Sequence, residues 1–386
     1  MAAVVLLVVG IAAMFLRPFG IPLWAGPVAA AAIGLITRII HWDDASESLH
    51  LLTKPLLFLL FAVPLAIVLD RIGVFEALAA TVDGGKHLVG GLWLLAMAVT
   101  IVFNLDASVV LLTPLYIRIA HRHGYPPEML AFQPALLACL ASNPLPVSNL
   151  TNLIVAEHFD LGVGEFLQHM VLPTIAACLV GWLCFRRAFG VDASHVDDID
   201  EPVDKRALRR GLPIVGFVLV GFTVGAALGV PEWVVAAVAL AWGASLAAHV
   251  PLRAIPYEAM LVAAGLAVLV AGAAPHLGLE RIFDATGVIG RLRTLSFGVV
   301  ASDVSNNLPA VLAGMTSLRD RSQVWALLIG ANVGPVLVIS GALSGLLWRD
   351  TAAGLGVEVS GRRYSLIGLK VGLPALIAAS AVVVFL

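Results

Sequence analysis

Apolar stretches long enough to cross a lipid bilayer recur along nearly the whole of this 386-residue chain. A crossing needs about 20 predominantly apolar residues. Splitting the sequence at charged residues, proline and glycine places candidate spans at 2–16, 21–40, 52–69, 129–159, 166–185, 211–229, 232–249, 257–274, 322–348 and 364–385. Only 12% of the residues are charged, about half the share of an ordinary soluble domain. We therefore expect an all-α polytopic membrane protein, with the lipid bilayer as its main surrounding.

Two further segments, 88–120 and 292–318, do not fit as simple crossings, because each has two short apolar arms around a polar centre. The centres are Asn-Leu-Asp at 104–106 and Ser-Asp-Val-Ser-Asn-Asn at 302–307. Unsatisfied backbone groups are costly in lipid, so a polar turn at this depth must be enclosed by protein or line a wet cavity. Both segments are predicted to be re-entrant hairpins.

The segments 129–159 and 322–348 are longer than one crossing needs and are interrupted near their centres. The interruptions are Ser-Asn-Pro-Leu-Pro-Val-Ser-Asn at 142–149 and Gly-Ala-Asn-Val-Gly-Pro at 330–335. Proline and glycine disfavour a continuous helix, and the flanking Ser and Asn supply polar groups. Each segment is predicted to be a broken transmembrane helix.

The order of three spans, a hairpin, a broken span and a final span occurs twice, once in 1–185 and once in 211–386. An odd number of crossings in each half gives the two repeats opposite orientations, which is typical of secondary transporters. The stretch 186–210 between them is charged and is predicted to be a linker. Lys and Arg concentrate on the side of this linker, which predicts a cytoplasmic linker, an external N-terminus and a location in the plasma or inner membrane.

Polar side chains at membrane depth are candidates for function, although Ser, Thr and Asn also hold helices together. The first hairpin carries Asp106 beside Asn104 at its tip, with Ser108 and Thr113 on the second arm. Asp106 either binds a coupling proton or ion, which the cost of a charge at this depth favours, or caps the following helix. The second hairpin mirrors this set with Asp303, Ser305, Asn306 and Asn307.

The two helix interruptions carry neutral polar residues that suit a hydroxylated solute or a weakly held cation. In the first they are Ser148, Asn149, Thr151 and Asn152, and in the second Asn332 and Ser340. Capping of the second half-helix by Ser148 or Asn149 is the structural alternative, and the two roles are compatible. A Gly-Pro pair by itself more often marks only a kink, and Asn332 favours the site interpretation.

Several functional classes are disfavoured by what the sequence lacks. The three cysteines show neither C-x-x-C spacing nor a zinc pattern, and neither H-E-x-x-H nor G-x-S-x-G occurs. With a formal net charge of −2 and no basic stripe, no nucleic-acid partner is expected. We therefore expect a transporter rather than an enzyme, with no metal site and no cofactor besides a coupling ion.

Four stretches resemble the arsenite permease group of the ion-transporter superfamily, which also contains sodium/proton antiporters and divalent-anion symporters. They are D-A-S-V-V-L-L-T-P at 106–114, S-N-L-T-N-L-I-V-A-E-H-F at 148–159, N-N-L-P-A-V-L at 306–312, and 330–348. The second and third are the most specific. The resemblance implies expulsion of undissociated arsenite or antimonite across the inner membrane, driven by proton entry and in some relatives assisted by an ATPase subunit.

The functional hypothesis is proton-coupled efflux of arsenite, antimonite or a similar small oxo-species. Asp106 and Asp303 would be protonated alternately, while the Asn and Thr side chains at 149, 151, 152, 306, 307 and 332 would contact the solute. The alternative is a sodium/proton antiporter or a sodium-coupled transporter of organic anions such as dicarboxylates. Some relatives are dimers, which leaves a homodimer open, and an ATPase partner is not inferable from this chain.

Overall fold

The computed structural model describes residues 1–81, 87–191, 202–247, 255–318 and 320–385, and within them it contains helices and no β-strand. The α-helices are α1 Ala2–Leu16, α2 Ala25–Ile36, α3 Trp42–Ile72, α4 Val74–Ala80, α5 Leu88–Phe103, α6 Leu105–Arg122, α7 Pro127–Leu140, α8 Leu150–Phe159, α9 Val163–Phe189, α10 Lys205–Val220, α11 Glu232–Leu246, α12 Tyr257–Ala273, α13 Glu280–Phe283, α14 Gly287–Ser305, α15 Asn307–Ser317, α16 Val324–Val333, α17 Leu343–Gly354, α18 Gly361–Ile367 and α19 Leu373–Phe385. The prediction of an all-α polytopic membrane protein is confirmed.

Five helical stretches in the described part of the chain are long and apolar enough to cross a membrane: Trp42–Ile72, Val163–Phe189, Lys205–Gly225, Tyr257–His276 and Gly361–Phe385. The third and the fifth each contain a π-helical segment, at Gly221–Gly225 and Gly368–Gly372. A π-helical turn widens a helix without ending it, so each of these crossings is continuous.

The first two predicted spans form shorter helices than a crossing needs. Helix α2 contains 12 residues, which corresponds to a length of about 18 Å, against a hydrocarbon core of about 30 Å. The chain leaves the helical conformation at Arg38, whose φ is 58°. The predicted span at 21–40 is therefore too long at both ends. Helices α1 and α2 pack side by side against α12.

Helix α3 is longer than the predicted span at 52–69, because it begins ten residues earlier, at Trp42. Asp43 and Asp44 lie in its first turn, where negative charge is favourable at the positive end of the helix dipole. Gly73 ends the helix in the left-handed conformation, with φ 87°, which glycine adopts without strain. Helix α4, which follows directly, was not predicted.

The predicted linker at 186–210 is too long at both ends, because the helices on either side extend into it. Helix α9 continues to Phe189 and stops at the left-handed Gly190, with φ 59°. Helix α10 begins at Lys205, and the Asp204 carboxylate accepts hydrogen bonds from the Arg206 and Ala207 amides, as an N-cap residue does. Residues 192–201 of the linker lie outside the described residues, and so does the predicted end of the 232–249 span.

Both predicted hairpins and both predicted broken helices are interrupted where the polar residues occur. Helices α5 and α6 meet at Asn104 and helices α14 and α15 meet at Asn306, while residues 141–149 separate α7 from α8 and residues 334–342 separate α16 from α17. Helix α14 packs so closely on α16 that a Cβ atom at Gly330 would lie only 2.3 Å from the Leu295 carbonyl oxygen. Glycine allows this backbone contact. The inverted relation of the two halves and the re-entrant course of the hairpins stay predictions.

Ion pairs between helix ends are consistent with the alternating map of crossings. They join Arg17 to Asp350 at 3.2 Å, Arg363 to Glu128 at 2.6 Å, Lys54 to Glu157 at 2.7 Å and Arg321 to Glu165 at 3.5 Å. The first two pairs join segments that the map places in the cytoplasm, and the last two join segments that it places outside. The pairs therefore agree with the predicted sidedness of these ends relative to one another, and which side is cytoplasmic stays a prediction.

Single cysteines at two of these ends would test the orientation. In a variant with the native cysteines replaced by alanine, we expect Glu157→Cys to react with a membrane-impermeant maleimide on intact cells. We expect Asp350→Cys to react only after the cells are opened, because the map places it in the cytoplasm. Labelling measured by a gel shift would show the reverse pattern if the N-terminus were cytoplasmic.

Candidate functional site

The tip of the first hairpin is a single strained residue. Asn104, between α5 and α6, has φ 80° and ψ 151°, and its Oδ1 accepts a hydrogen bond from the Asp106 amide at 2.9 Å. This backbone region is adopted almost only by glycine and costs on the order of 1–3 kcal/mol for other residues. The surrounding packing therefore has to hold Asn104 in place.

The second hairpin tip repeats this geometry. Asn306, between α14 and α15, has φ 93° and ψ 152°, and its Oδ1 accepts from the Leu308 amide at 3.3 Å. An asparagine with the same backbone conformation and the same cap thus stands at both tips. The carboxylates do not follow the same pattern, because Asp106 comes two residues after its asparagine and Asp303 three residues before.

The second tip docks on the break between α16 and α17. The Asn306 side-chain amide donates to the Ser340 carbonyl oxygen at 3.3 Å, and the Asn307 backbone amide donates to the Gly341 carbonyl oxygen at 2.7 Å. A Cβ atom at Gly341 would lie 3.0 Å from Oδ1 of Asp303. Of the predicted site residues in this half, Asp303, Asn306, Asn307 and Ser340 are therefore brought together. Ser305 instead donates to the Ala301 carbonyl oxygen of its own helix at 2.7 Å.

The polar residues of the first hairpin divide into paired and unpaired groups. Ser108 is buried, accepts a hydrogen bond from Thr100 at 2.9 Å and donates to the Leu105 carbonyl oxygen at 2.9 Å. Nδ2 of Asn104 and Oγ1 of Thr113 are buried and have no hydrogen-bond partner among the described residues. An unpaired polar group buried in protein is costly, so these two atoms are candidates for contact with a bound solute, ion or water.

Asn332 connects the broken helices of the two halves. Its Nδ2 donates to Oδ1 of Asn143 at 3.2 Å and to Oδ1 of Asn152 at 2.8 Å, and its Oδ1 accepts from the Thr151 hydroxyl at 2.7 Å. All four side chains are at most 2% exposed. The separations along the chain exceed 179 residues, so this cluster is a tertiary contact between the two predicted repeats.

The same cluster holds the first break in shape. Asn152 donates to the carbonyl oxygens of Ser142 at 3.0 Å and Leu145 at 3.1 Å. The Ser148 hydroxyl both donates to the Leu145 carbonyl and accepts from the Leu145 amide, and Oδ1 of Asn149 accepts from the Thr151 amide. The capping role expected for Asn149 is thus observed. In this conformation these polar groups bind one another, which stabilises the unwound backbone.

A cavity of about 210 Å³ reaches Asp106. Its walls are formed by Leu23, Leu59, Val63, Ile67, Asp106, Ala107, Val110, Leu111, Ile255, Pro256, Glu258, Ala259, Val262, Leu343 and Leu347. Among these described residues only Asp106 and Glu258 have polar side chains, and none is basic. Asp106 is the one predicted site residue that lines this cavity, and Asp303 does not.

The profile of a transporter family described as "Citrate transporter" (CitMHS) matches residues 1–359 of this chain. The chain belongs to the CitMHS family. This confirms the resemblance to the ion-transporter superfamily and identifies the chain as a membrane transporter rather than an enzyme.

Individual relatives of this CitMHS chain include proteins named "Arsenical pump membrane protein". The one from Escherichia coli K12 is 27% identical over 400 residues, covering 93% of this chain and 92% of the relative. The one from Yersinia enterocolitica is 28% identical over 399 residues with the same coverage. A "Silicon efflux transporter" from Oryza sativa subsp. japonica is 27% identical over 158 residues, which is 40% of this chain and 32% of the relative.

Some residues of this CitMHS site were missed by the sequence analysis. Asn143, which accepts from Asn332, was noted only as part of the first interruption, and Thr100, which pairs with Ser108, lies within an apolar arm. Glu258, which lines the Asp106 cavity, was read only as part of a predicted span. A signal was available for Asn143, because it is an asparagine at membrane depth like Asn332. Nothing in the local sequence marks Glu258.

Substitutions at Asn306 would test the strain at the hairpin tips of this CitMHS protein. We expect Asn306→Ala to lower the free energy of unfolding by about 1–3 kcal/mol, because alanine has neither the cap nor a tolerance for this backbone conformation. We expect Asn306→Gly to lose less, because glycine adopts the conformation freely. Unfolding of both variants in detergent would measure the difference, and equal losses would contradict strain at this residue.

Proposed function

We propose that this CitMHS protein is a secondary transporter that expels arsenite, antimonite or a similar small neutral oxo-species in exchange for protons. The observation that carries the proposal is the Asp106 carboxylate in an apolar cavity near a helix break. The names of the arsenical pump relatives, which align over 93% of this chain, support the choice of solute.

The coupling role of Asp106 follows from its surroundings. A charged carboxylate is costly in apolar surroundings unless an opposite charge accompanies it. Among the described residues, those that line the cavity supply no basic side chain, and Glu258 adds a second acid. We therefore expect the positive charge that balances Asp106 to come from solution, as a proton or as a cation. Binding of that proton or cation would then be coupled to binding of a solute in the same cavity.

The chemistry of the cavity favours a small neutral solute. Two unit charges about 4 Å apart interact with about 4 kcal/mol at an effective dielectric constant near 20, so a carboxylate anion beside Asp106 would be repelled. Undissociated arsenite carries hydroxyl groups and no charge. It can exchange hydrogen bonds with a carboxyl group and with amide or hydroxyl groups such as Nδ2 of Asn104 and Oγ1 of Thr113.

A second candidate is sodium-coupled transport of an organic anion, or sodium/proton exchange. The description of the family as citrate transporters favours an anion. Helices α6, α8, α15 and α17 begin at the breaks, and helix N-termini attract anions. Three of these N-termini already have an asparagine side chain bound to an amide, from Asn104, Asn149 and Asn306. The N-terminus of α17 lacks such a cap.

Alternating access requires part of the site to move. We propose that the hairpins and broken helices move as one unit against the other helices, with Asp106 and Asp303 protonated at different stages of the cycle. The hydrogen bonds of Asn332 to Thr151 and Asn152 join both breaks within this unit, which supports movement of the two as one body. Asn149, Asn152, Asn307 and the other predicted polar groups would then contact solute only in conformations that free them.

The test is solute flux into everted membrane vesicles that contain the protein. With an imposed pH gradient, acid inside, we expect arsenite uptake above that of vesicles without the protein, and loss of this uptake when a protonophore removes the gradient. Uptake that requires sodium instead of a pH gradient would favour the second candidate. No arsenite flux under either condition, in vesicles shown to contain the inserted protein, would overturn the proposed substrate.

A further inference from the structure

A second cavity lies away from the transport site, between α5 and α9. It measures about 780 Å³ and is lined by His87, Val89, Gly90, Gly91, Trp93, Leu94, Met97, Tyr125, Ile175, Cys178, Leu179, Trp182, Arg186 and Val191. We call it the α5–α9 groove. Its lining includes no residue of the hairpin tips or helix breaks, so it is separate from the Asp106 cavity.

The body of the groove is apolar and open to the outside of the helix bundle. Leu94 is 59% exposed, Ile175 is 53% exposed and Leu179 is 56% exposed. Gly90 and Gly91 add no side chain to the α5 wall, and a Cβ atom at Gly90 would lie 3.3 Å from the Trp182 ring. In a chain surrounded by lipid, such a channel between two helices has the shape and polarity to hold an acyl chain.

One end of the groove is basic and aromatic. Arg186 lies in the last turn of α9, with its guanidinium carbon 5.9 Å from the centre of the Trp182 ring. Tyr125, in the connection between α6 and α7, and His87, the residue before α5, also line the groove. Trp and Tyr are enriched at the membrane–water interface, and the end of α9 at Phe189 places Arg186 at that level. A guanidinium group binds a phosphate through two parallel hydrogen bonds, and stacking on a tryptophan orients it.

We propose that the α5–α9 groove binds an anionic phospholipid, with the phosphate at Arg186 and one acyl chain along Leu94, Ile175 and Leu179. Charge complementarity selects the headgroup, because an arginine at the membrane surface attracts a net negative lipid. The apolar length of the groove distinguishes this ligand from a free phosphate, which would use only the basic end. The adjacent Arg187 is exposed and does not line the groove.

The test is a lipid titration of the delipidated, full-length protein in detergent, followed by native mass spectrometry. The probes are phosphatidylglycerol, phosphatidylcholine with the same acyl chains, and glycerol 3-phosphate. We expect one phosphatidylglycerol to bind more tightly than either of the others. We expect Arg186→Gln to weaken that binding about fivefold, while Arg187→Gln, the matched control, changes it less than twofold.

A second pair of variants tests the acyl-chain part of the groove. Leu179 and Leu172 are exposed leucines of the same helix, at 56% and 54%, but only Leu179 lines the groove. We expect Leu179→Gln to weaken phosphatidylglycerol binding and Leu172→Gln to leave it unchanged. Equal weakening by Arg186→Gln and Arg187→Gln, equal affinity for phosphatidylcholine, or binding of glycerol 3-phosphate as tight as that of the lipid would each overturn the proposal. A particle that carries no lipid and has the mass of two chains would also overturn the proposal, because a second copy of this chain would then cover the groove.

Discussion

Asp106→Asn is expected to reduce solute flux driven by a pH gradient to the level of vesicles that lack the protein. The amide has nearly the same shape as the carboxyl group and keeps the surrounding contacts, but it cannot bind and release a proton in the physiological range. Among the described residues that line the Asp106 cavity, Glu258 is the one other acid, so it is the neighbour whose contribution has to be tested separately. The flux of arsenite into everted vesicles measures the loss, with protein content determined in the same preparation.

The matched control for this substitution is Glu258→Gln. Glu258 lines the same cavity and its substitution removes the same charge, but it lies in the first turn of α12 and not at the hairpin tip. We expect Glu258→Gln to retain most of the flux. Gradient-dependent flux that persists in Asp106→Asn would show that coupling does not require this carboxylate, and Asp303→Asn would then be the variant to examine. Equal loss in both cavity variants would indicate general electrostatics of the cavity rather than a specific role of Asp106.

Asn332→Leu is expected to destabilise the folded protein by about 2–6 kcal/mol. The lower value assumes about 0.6 kcal/mol for each of three hydrogen bonds within a membrane protein. The higher value assumes about 2 kcal/mol for each polar group left buried without a partner. The groups affected are the Thr151 hydroxyl and the side-chain oxygens of Asn143 and Asn152. Reversible unfolding in mixed micelles measures the change.

Two further variants separate the network from the simple loss of a polar side chain. Ser340→Ala alters the second break but keeps the Ser340 carbonyl oxygen that accepts from Asn306, and we expect a change below about 0.5 kcal/mol. Thr151→Val combined with Asn332→Leu should cost less than the sum of the two single changes, because both remove the same hydrogen bond. Additive losses would mean that Asn332 and Thr151 do not interact in the membrane.

The network also changes how the polar residues of the breaks are interpreted. The sequence analysis placed Thr151, Asn152 and Asn332 among solute contacts, on the argument that polar groups at membrane depth are functional. In the structure their hydrogen-bonding groups are occupied by one another and by the unwound backbone. Solute contact by these groups requires a conformation in which some of the hydrogen bonds open, so this role stays a prediction.

Local sequence was sufficient to locate every interruption of the helices that matters for the site. The polar runs at 104–106 and 302–307, which contain Asn104 and Asn306, were placed at the hairpin centres because a polar run inside an apolar segment cannot face lipid. The conformation of the tips was not predictable, since both asparagines adopt a positive φ that is adopted almost only by glycine. The length of α2 was overestimated for a related reason. Hydropathy extends through Arg38 to Ile40, but a helix ends where the backbone conformation changes.

The sequence by itself determined that lipid surrounds the chain, to which family the chain belongs, and where the polar breaks lie. Each of these depends on neighbouring residues and on the cost of polar groups in lipid. Only the tertiary structure decided which polar groups meet. Asn332 binds the break of the other half, Asp303 lies against Gly341, and Asp106 lines the 210 Å³ cavity without the other predicted residues. The first two contacts join residues that are distant in the chain, and their partners are selected by the packing of whole helices, which no local pattern of apolar and polar residues encodes.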